Sequence, residues 1–414
     1  MEATEQLPDS RPHRVASIDV LRGITIMAMI FVNDIAGVHG TPAWLKHFKE
    51  DGDGMTVTDC VFPAFLFIVG MSLPFSIGRQ MDSGVPLWRI VARILGRTAS
   101  LLIVGVFMVN SPSDEGILNP DVWHLLMYTC VILAWNRSPA EPGRKRTIIL
   151  TLRAVGIVGL IALAILYRGH GPHRLIELQT EWWGIIGLIG WAYLVAALSF
   201  VATRRNAIAL TFVAIALYGL FIISRLGWID GAPFGEWVDY GSMLGSQGAL
   251  SVSGAALAIM LTPQSKIRDH SKRLAIAATV GCVAALSGHL LHMLRDVNPM
   301  FIINKNIATV PWCLWCTAWT VWVWAIIYFV VDVKGWKSWA TFIRPAGENP
   351  LLAYLIAPIV YAGFSLLGQI MGGYDIYAML GANLVTGAPR AILFALGATW
   401  LTGAAKPLGV NPGL

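Results

Sequence analysis

The sequence predicts an all-α polytopic membrane protein of about 12 transmembrane helices with both termini cytoplasmic. Three observations carry this. Of 414 residues, 56% are hydrophobic and only 13% charged, against roughly 25% charged in a soluble domain. Apolar runs of about 20 residues, the length a helix needs to cross the hydrocarbon layer, recur along the whole chain. Lysine and arginine also alternate between abundance and scarcity from one loop to the next. Arg11, Arg14, Arg79, Arg89, Arg93, Arg97, Arg144, Lys145, Arg146, Arg204, Arg205, Lys266, Lys272, Arg273, Lys334 and Lys337 fall in one set of loops. The other set is poor in basic residues, so the positive-inside rule places the N-terminus in the cytoplasm. The net charge of +6 then reports topology, and no nucleic-acid partner is expected.

Residues 1–14 read as a cytoplasmic tail, since no short apolar stretch with a small-residue cleavage site follows them. The first helix, about 15–36, carries Asp19 and Arg22 three residues apart on one face, close enough to pair. Next comes a polar stretch, NDIAGVHGTPAWLKHFKEDGDGMTVTDCVFP (Asn33 to Pro63), with His39, His47 and five acidic residues between two apolar runs. It contains the expected outer catalytic loop, 37–58. The second helix, about 60–78, has Pro63 in its first turn, where a missing N–H costs little, and Pro74 deeper, where it should kink the helix. Arg89, Arg93 and Arg97 recur every four residues into the third helix, about 94–110. That stripe suits either anionic lipid or the phosphates of a cytosolic cofactor.

Helices four and five, about 121–135 and 147–166, flank the basic turn NRSPAEPGRKR. The outer loop after them holds His170, His173 and Arg174. Helices six to nine follow at about 182–202, 206–224, 245–261 and 274–294, the last bearing His289 and His292. Helix ten, about 307–331, is rich in tryptophan. Helix eleven begins at Asn349-Pro350, with Asn349 placed as an N-cap, and helix twelve covers about 388–403. Trp44, Trp88, Trp123, Trp182, Trp183, Trp336 and Trp339 lie near helix ends, as interface belts do. There is no internal repeat or soluble domain, so residues 1–414 form a single membrane domain.

Several clusters could carry chemistry. A histidine of near-neutral pKa can take a proton or attack a thioester, and an Asn side chain can donate to a carbonyl oxygen as charge develops there. His47 with Asn33, expected as a buried and hydrogen-bonded carboxamide, would therefore suffice for acyl transfer. The carboxylates of KEDGDG offer oxygen ligands, but not at calcium-hand spacing, and no metal is expected. The five cysteines form no disulfide framework. CLWC (Cys313 to Cys316) has redox-motif spacing without a second pair to exchange with. INKNIAT (Ile303 to Thr309) lies on the same predicted face as His47.

The blocks SIDVLRGITIMAMIFVN, WLKH and DGMTVTDCVFPAFLFIVGMS resemble the heparan-α-glucosaminide N-acetyltransferase family. So do FIINKNIAT, VVDVKGW, GENPLLAYL and GIIGLIGWAYLVAAL. The LRG opening is also similar to bacterial membrane O-acyltransferases. The resemblance implies a multi-pass protein of the bacterial inner membrane that moves acetyl from cytosolic acetyl-CoA to an amino sugar or other glycan outside. It places the catalytic residues on His47 and Asn33, with His39 as the fallback histidine. HFKEDGDG is longer and more acidic than the family's segment, and the lumenal domain of the animal enzyme has no counterpart here. On this reading Arg22, Arg93 and Arg97 hold the donor's phosphates, and Lys305, Asn306, Asp59 and Asn349 bind substrate. Membrane lipids are partners, and a homodimer is left open. A 12-helix secondary transporter and a non-catalytic lipid- or glycan-precursor-binding protein are the competing classes. The acyl-histidine and ternary-complex routes both remain open.

Overall fold

The computed structural model describes residues 15–113, 116–139, 141–169 and 175–413. The 1–14 tail with Arg11 and Arg14, and the loop residues His170, His173 and Arg174, lie outside them. Among the described residues the chain is helical throughout, its one sheet-like contact being an isolated bridge between Asn136 and Pro412. Eleven helices among the described residues are long and apolar enough to cross a membrane. The twelfth expected span exists but is short, at 15 residues.

The first two spans frame the bundle. α1 (Ala16–Ala36) runs from what we term the basal end to the distal end. α2 (Val57–Met71) returns, and α3 (Leu73–Asp82) continues it after a break. The break falls at Ser72, whose hydroxyl turns back onto the Ile68 carbonyl at 2.8 Å, just before Pro74, which cannot donate to the helix ladder. The predicted kink is therefore present. α2 starts three residues earlier than expected, so the connecting loop is shorter than 37–58 and Pro63 sits inside the helix rather than in its first turn. Asp59 causes the early start, because its carboxylate accepts the Thr56 N–H at 3.0 Å and satisfies an orphan donor of the first turn.

α4 (Leu87–Val109), α5 (Pro120–Ala134), α6 (Arg144–Leu166), α7 (Gly184–Ala202) and α8 (Ala207–Arg225) follow. α9 (Gln247–Ala258) is preceded by a π-helical turn, Tyr240–Ser246. α10 (His270–His292) and α11 (Val310–Tyr328) pair, and a short α12 (Arg344–Glu348) leads to α13 (Pro350–Ile370). A second short helix, α14 (Ile376–Leu380), precedes α15 (Leu384–Ala405). Asn or Asp side chains cap α5, α8, α10, α13 and α15. The tail after α15 returns to the basal end, where Asn411 N–H donates to Asn136 at 2.8 Å and Lys406 pairs with Glu348.

Small residues let the central helices meet backbone to backbone. A Cβ on Gly70 of α2 would run into the Ser251 carbonyl of α9, and one on Gly254 would run into the Phe67 carbonyl. The Ser251 hydroxyl donates to the Leu66 carbonyl across the same contact at 2.7 Å. Gly23 and Gly347 do the same for α1 and α12. In lipid, where apolar side chains gain little by leaving the solvent, such close approach is a main source of helix association. Most tryptophans assigned to the interface belt are exposed, but Trp123 is not. It is fully buried, stacked on Phe107, with its Nε1–H donating to the Leu163 carbonyl.

Gly70→Val should overpack the α2–α9 contact, which typically costs about 1–3 kcal/mol, and lower the melting temperature in detergent by several degrees or abolish the monodisperse peak. Gly96→Ala, where a Cβ meets nothing, should leave both unchanged in fluorescence-detected size-exclusion runs.

Candidate functional site

The loop between α1 and α2 is shaped by one buried carboxylate. Asp59 Oδ1 lies 2.7 Å from Nδ1 of His47 and 3.4 Å from Nζ of Lys305. Its Oδ2 accepts the Phe48 N–H at 3.1 Å and the Thr56 N–H at 3.0 Å. The Asp59 side chain has no exposed surface, whereas that of His47 is 46% exposed. Nδ1 is thus held toward the carboxylate, which fixes the proton there, and Nε2 faces outward with no hydrogen-bond partner among the described residues. Asp59, expected to bind substrate, instead points inward and positions the histidine. Burial pulls the Lys305 ammonium below its ordinary 10.5, and the charges of Asp59 and Glu50 oppose that shift only in part.

The acidic segment that follows has a structural task. Asp53 accepts the Ile303 N–H at 2.8 Å, meets His292 Nε2 at 2.8 Å and lies 3.6 Å from Arg295. Asn304, within INKNIAT, donates to the carbonyls of Glu50 and Gly52 at 2.7 and 3.2 Å. Asn306 donates to Glu50 O at 3.2 Å. The His47 loop is therefore laced to the segment between α10 and α11, with His292 as a latch. Among the described residues no group of three or more His, Cys, Asp or Glu side chains could hold a metal ion.

Asn33 departs from expectation. It is exposed and its side chain makes no hydrogen bond among the described residues, whereas its neighbour Asp34 is buried. Asp34 accepts from the hydroxyls of Tyr361 and Tyr377 at 3.1 and 2.6 Å and pairs with Arg390 at 3.2 Å. This cluster ties the distal end of α1 to α13, α14 and α15. The sequence hint was an Asp and an Arg inside apolar runs, but they lie 356 positions apart. His39 is exposed, and its backbone N–H donates to Gly381 O at 3.4 Å.

The basal end holds a cavity of about 250 Å³ between α1, α2, α4, α7 and α13. Arg22, Arg97 and Arg137 line it, with Ser72, Tyr193 and Asn349, and its apolar part reaches Met29 and Phe65. Arg22 donates to Asp19, to the Gly347 carbonyl and to the Ser72 hydroxyl at 3.1, 2.9 and 2.6 Å. Arg97 stacks over the Tyr193 ring at 4.6 Å. Arg93 does not join them, and its guanidinium donates to Gln80 instead. Asn349, grouped with the substrate residues, lines this basal cavity and not the His47 end. It caps α13 and donates to Asn411 at 3.1 Å.

The fold and these two sites define a multi-pass α-helical membrane protein with polar chemistry at one end and an arginine-lined cavity at the other. Within that class the chain belongs to the family described as Domain of unknown function (DUF5009), which matches residues 14–229. It is related to heparan-alpha-glucosaminide N-acetyltransferases. It is 23% identical to the Homo sapiens protein of that name over 370 residues, covering 83% of this chain and 52% of the relative. It is 33% identical to the Mus musculus protein over 113 residues, covering 27% and 16% of the two chains. The chain thus spans about half the length of the human relative.

Burial raises the Asp53 carboxyl, but the Ile303 N–H, His292 and Arg295 outweigh it and hold the group below its ordinary 3.8. A depressed carboxyl stabilises the fold above its unfolded value and ceases to as pH falls below about 3.8. Hydrogen-exchange protection factors across residues 46–56, taken against the intrinsic rate at each pH, should fall in Asp53→Asn at neutral pH, and in the unaltered protein only in that acidic range.

Proposed function

We propose that this chain is a transmembrane acetyltransferase that takes acetyl from cytosolic acetyl-CoA and delivers it to an amino sugar or other glycan on the outer face of a bacterial inner membrane. The observation that carries the reading is the His47–Asp59 pair, a half-exposed histidine fixed through Nδ1 by a buried carboxylate, which leaves Nε2 without a partner among the described residues. The similarity to two proteins named as acetyltransferases supports it. So does the placement of Arg22 and Arg97 around one cavity, which suits a phosphate-bearing donor at the basal end and leaves the distal end to the acceptor.

In this reading Nε2 accepts a proton from the acceptor amine as its nitrogen attacks the thioester carbonyl. Asp59 holds the Nδ1–H tautomer and stabilises the imidazolium that forms. The C–N bond forms, the C–S bond breaks, and the proton passes from His47 to the departing thiolate. Lys305, beside the same carboxylate, and the exposed Asn33 carboxamide are the donors for the oxyanion. Arg22 and Arg97 bind the phosphates of the donor, and Asn306 lines the acceptor side. The apolar end of the cavity at Phe65 lies six residues along α2 from Asp59, about 9 Å of helix rise. The thiol-bearing arm of the donor is the part of the molecule that would cross that gap.

Vesicles bearing the protein should transfer label from acetyl-CoA to candidate glycans. His47→Ala should lower the rate by about 10²–10⁴, and Asp59→Asn by a similar order through loss of the tautomer. Arg97→Ala should raise KM for acetyl-CoA with little change in kcat. Full activity in His47→Ala would overturn the assignment.

A further inference from the structure

The wall of the basal cavity brings Arg137 together with Pro412 and Gly413 from a distant part of the chain. Residues 409–413, after α15, run antiparallel to the exit of α5 as a short strap. The Arg137 N–H donates to the Asn411 carbonyl at 3.2 Å and the Gly413 N–H to the Trp135 carbonyl at 3.0 Å. These bonds flank the bridge between Asn136 and Pro412. The buried Asn136 side chain clasps the strap again, accepting the Asn411 N–H at 2.8 Å and donating to the Gly409 carbonyl at 2.9 Å. Asn349, the N-cap of α13, completes the set by donating to Asn411 Oδ1 at 3.1 Å.

Ordering one residue costs about as much as one such bond contributes. Five bonds across five residues therefore do little more than hold the strap in place, and Pro412 is its one buried residue. What the strap secures is the position of Arg137. The guanidinium lies against the Gly413 backbone, where a Cβ on Gly413 would overlap it.

The charge of that guanidinium is left open. Arg22 in the same wall pairs with Asp19, and Glu348 pairs with Arg344 and Lys406. Arg97 and Arg137 have no carboxylate partner among the described residues. Two uncompensated guanidinium groups beside one cavity attract anions, and their planar forks match phosphate oxygens. The apolar part of the cavity reaches distally to Met29 and Phe65, which leaves the strap to the phosphate-bearing end of a ligand.

We propose that Arg137, positioned by the strap, binds a nucleotide phosphate at the mouth of the cavity. That the phosphate belongs to the nucleotide end of the donor rests on the acetyl-CoA reading above; the phosphate site itself does not. The strap then sets the preference for a nucleotide-bearing thioester over a bare pantetheine one.

The test is isothermal titration of the full chain in phosphatidylcholine nanodiscs, with CoA, ADP and pantetheine as probes. CoA and ADP should bind, and Arg137→Gln should weaken both about tenfold, the effect of losing a charge-assisted hydrogen bond. Pantetheine should be unaffected. Gly413→Val keeps the arginine but occupies its place, so it should weaken CoA too. Combined with Arg137→Gln it should add nothing, because both remove one contact. Full additivity of the two losses overturns the positioning by the strap, as does unchanged affinity in Gly413→Val. CoA held as tightly by Arg137→Gln as by the unaltered protein overturns the proposal and leaves the acetyl-CoA reading standing. ADP bound through Arg137 without any binding of CoA keeps the phosphate site and removes that reading. If neither probe binds the unaltered protein, both fall. An Arg137 dependence that vanishes when phosphatidylglycerol is added gives the rim to a lipid headgroup, which also overturns the proposal. Arg137 is exposed, and its substitution leaves the backbone bonds of the strap intact, so the variant should fold.

Discussion

Four groups depend on the Asp59 carboxylate. It caps α2 through the Thr56 N–H, turns the loop by accepting the Phe48 N–H, holds Nδ1 of His47 and sits beside the Lys305 ammonium. A carboxylate with no exposed surface is tolerated only when its oxygens are occupied, and these groups occupy them. The requirement runs in both directions. The loop fold exists because the charge must be satisfied, and the histidine is oriented because it is one of the groups that satisfy it. Removing any one partner leaves a buried charge short of a bond, so the segment from His47 to Asp59 is a unit and not a flexible connection.

The rest of the distal surface is built around that unit. Asp53 and Asn304 lace the loop to the segment before α11, and the Asp34–Arg390 pair ties the end of α1 to the last two spans. The two ends of the bundle share α1, which carries Arg22 near its start and Asn33 near its finish. They also share α2 with α3, which runs from Asp59 to the Ser72 break that Arg22 holds. The close contacts of Gly70 and Gly254 fix α2 against α9, so the distal loop is carried on one of the most tightly held elements of the chain.

Much of this was legible in the sequence. The spans, the Asp19–Arg22 pair and the kink before Pro74 all follow from local signals of spacing, hydropathy and proline. Local signals also explain the misses. Helix phase turns by about 100° per residue, so a reading that places a polar group at the end of α1 does not tell whether Asn33 or Asp34 faces inward. Asp59 was grouped with substrate residues because twelve positions of irregular loop carry no periodicity to bring it back to His47. Asp53 and His292 are 239 positions apart, and no pattern within either segment announces the other. Arg93 and Arg97 share a helix stripe, yet only Arg97 lines the cavity, since the two lie about 6 Å apart along the helix axis.

α5 has a consequence for the surrounding bilayer. Its 15 residues rise about 22 Å, well short of the hydrocarbon thickness of roughly 30 Å that the neighbouring spans match. Such mismatch is met by lipid tails compressing locally or by flanking polar groups reaching outward. α5 packs against α13, which lines the arginine-bearing cavity. A short helix beside that cavity makes lipid chain length a variable that acts on this face of the protein from outside.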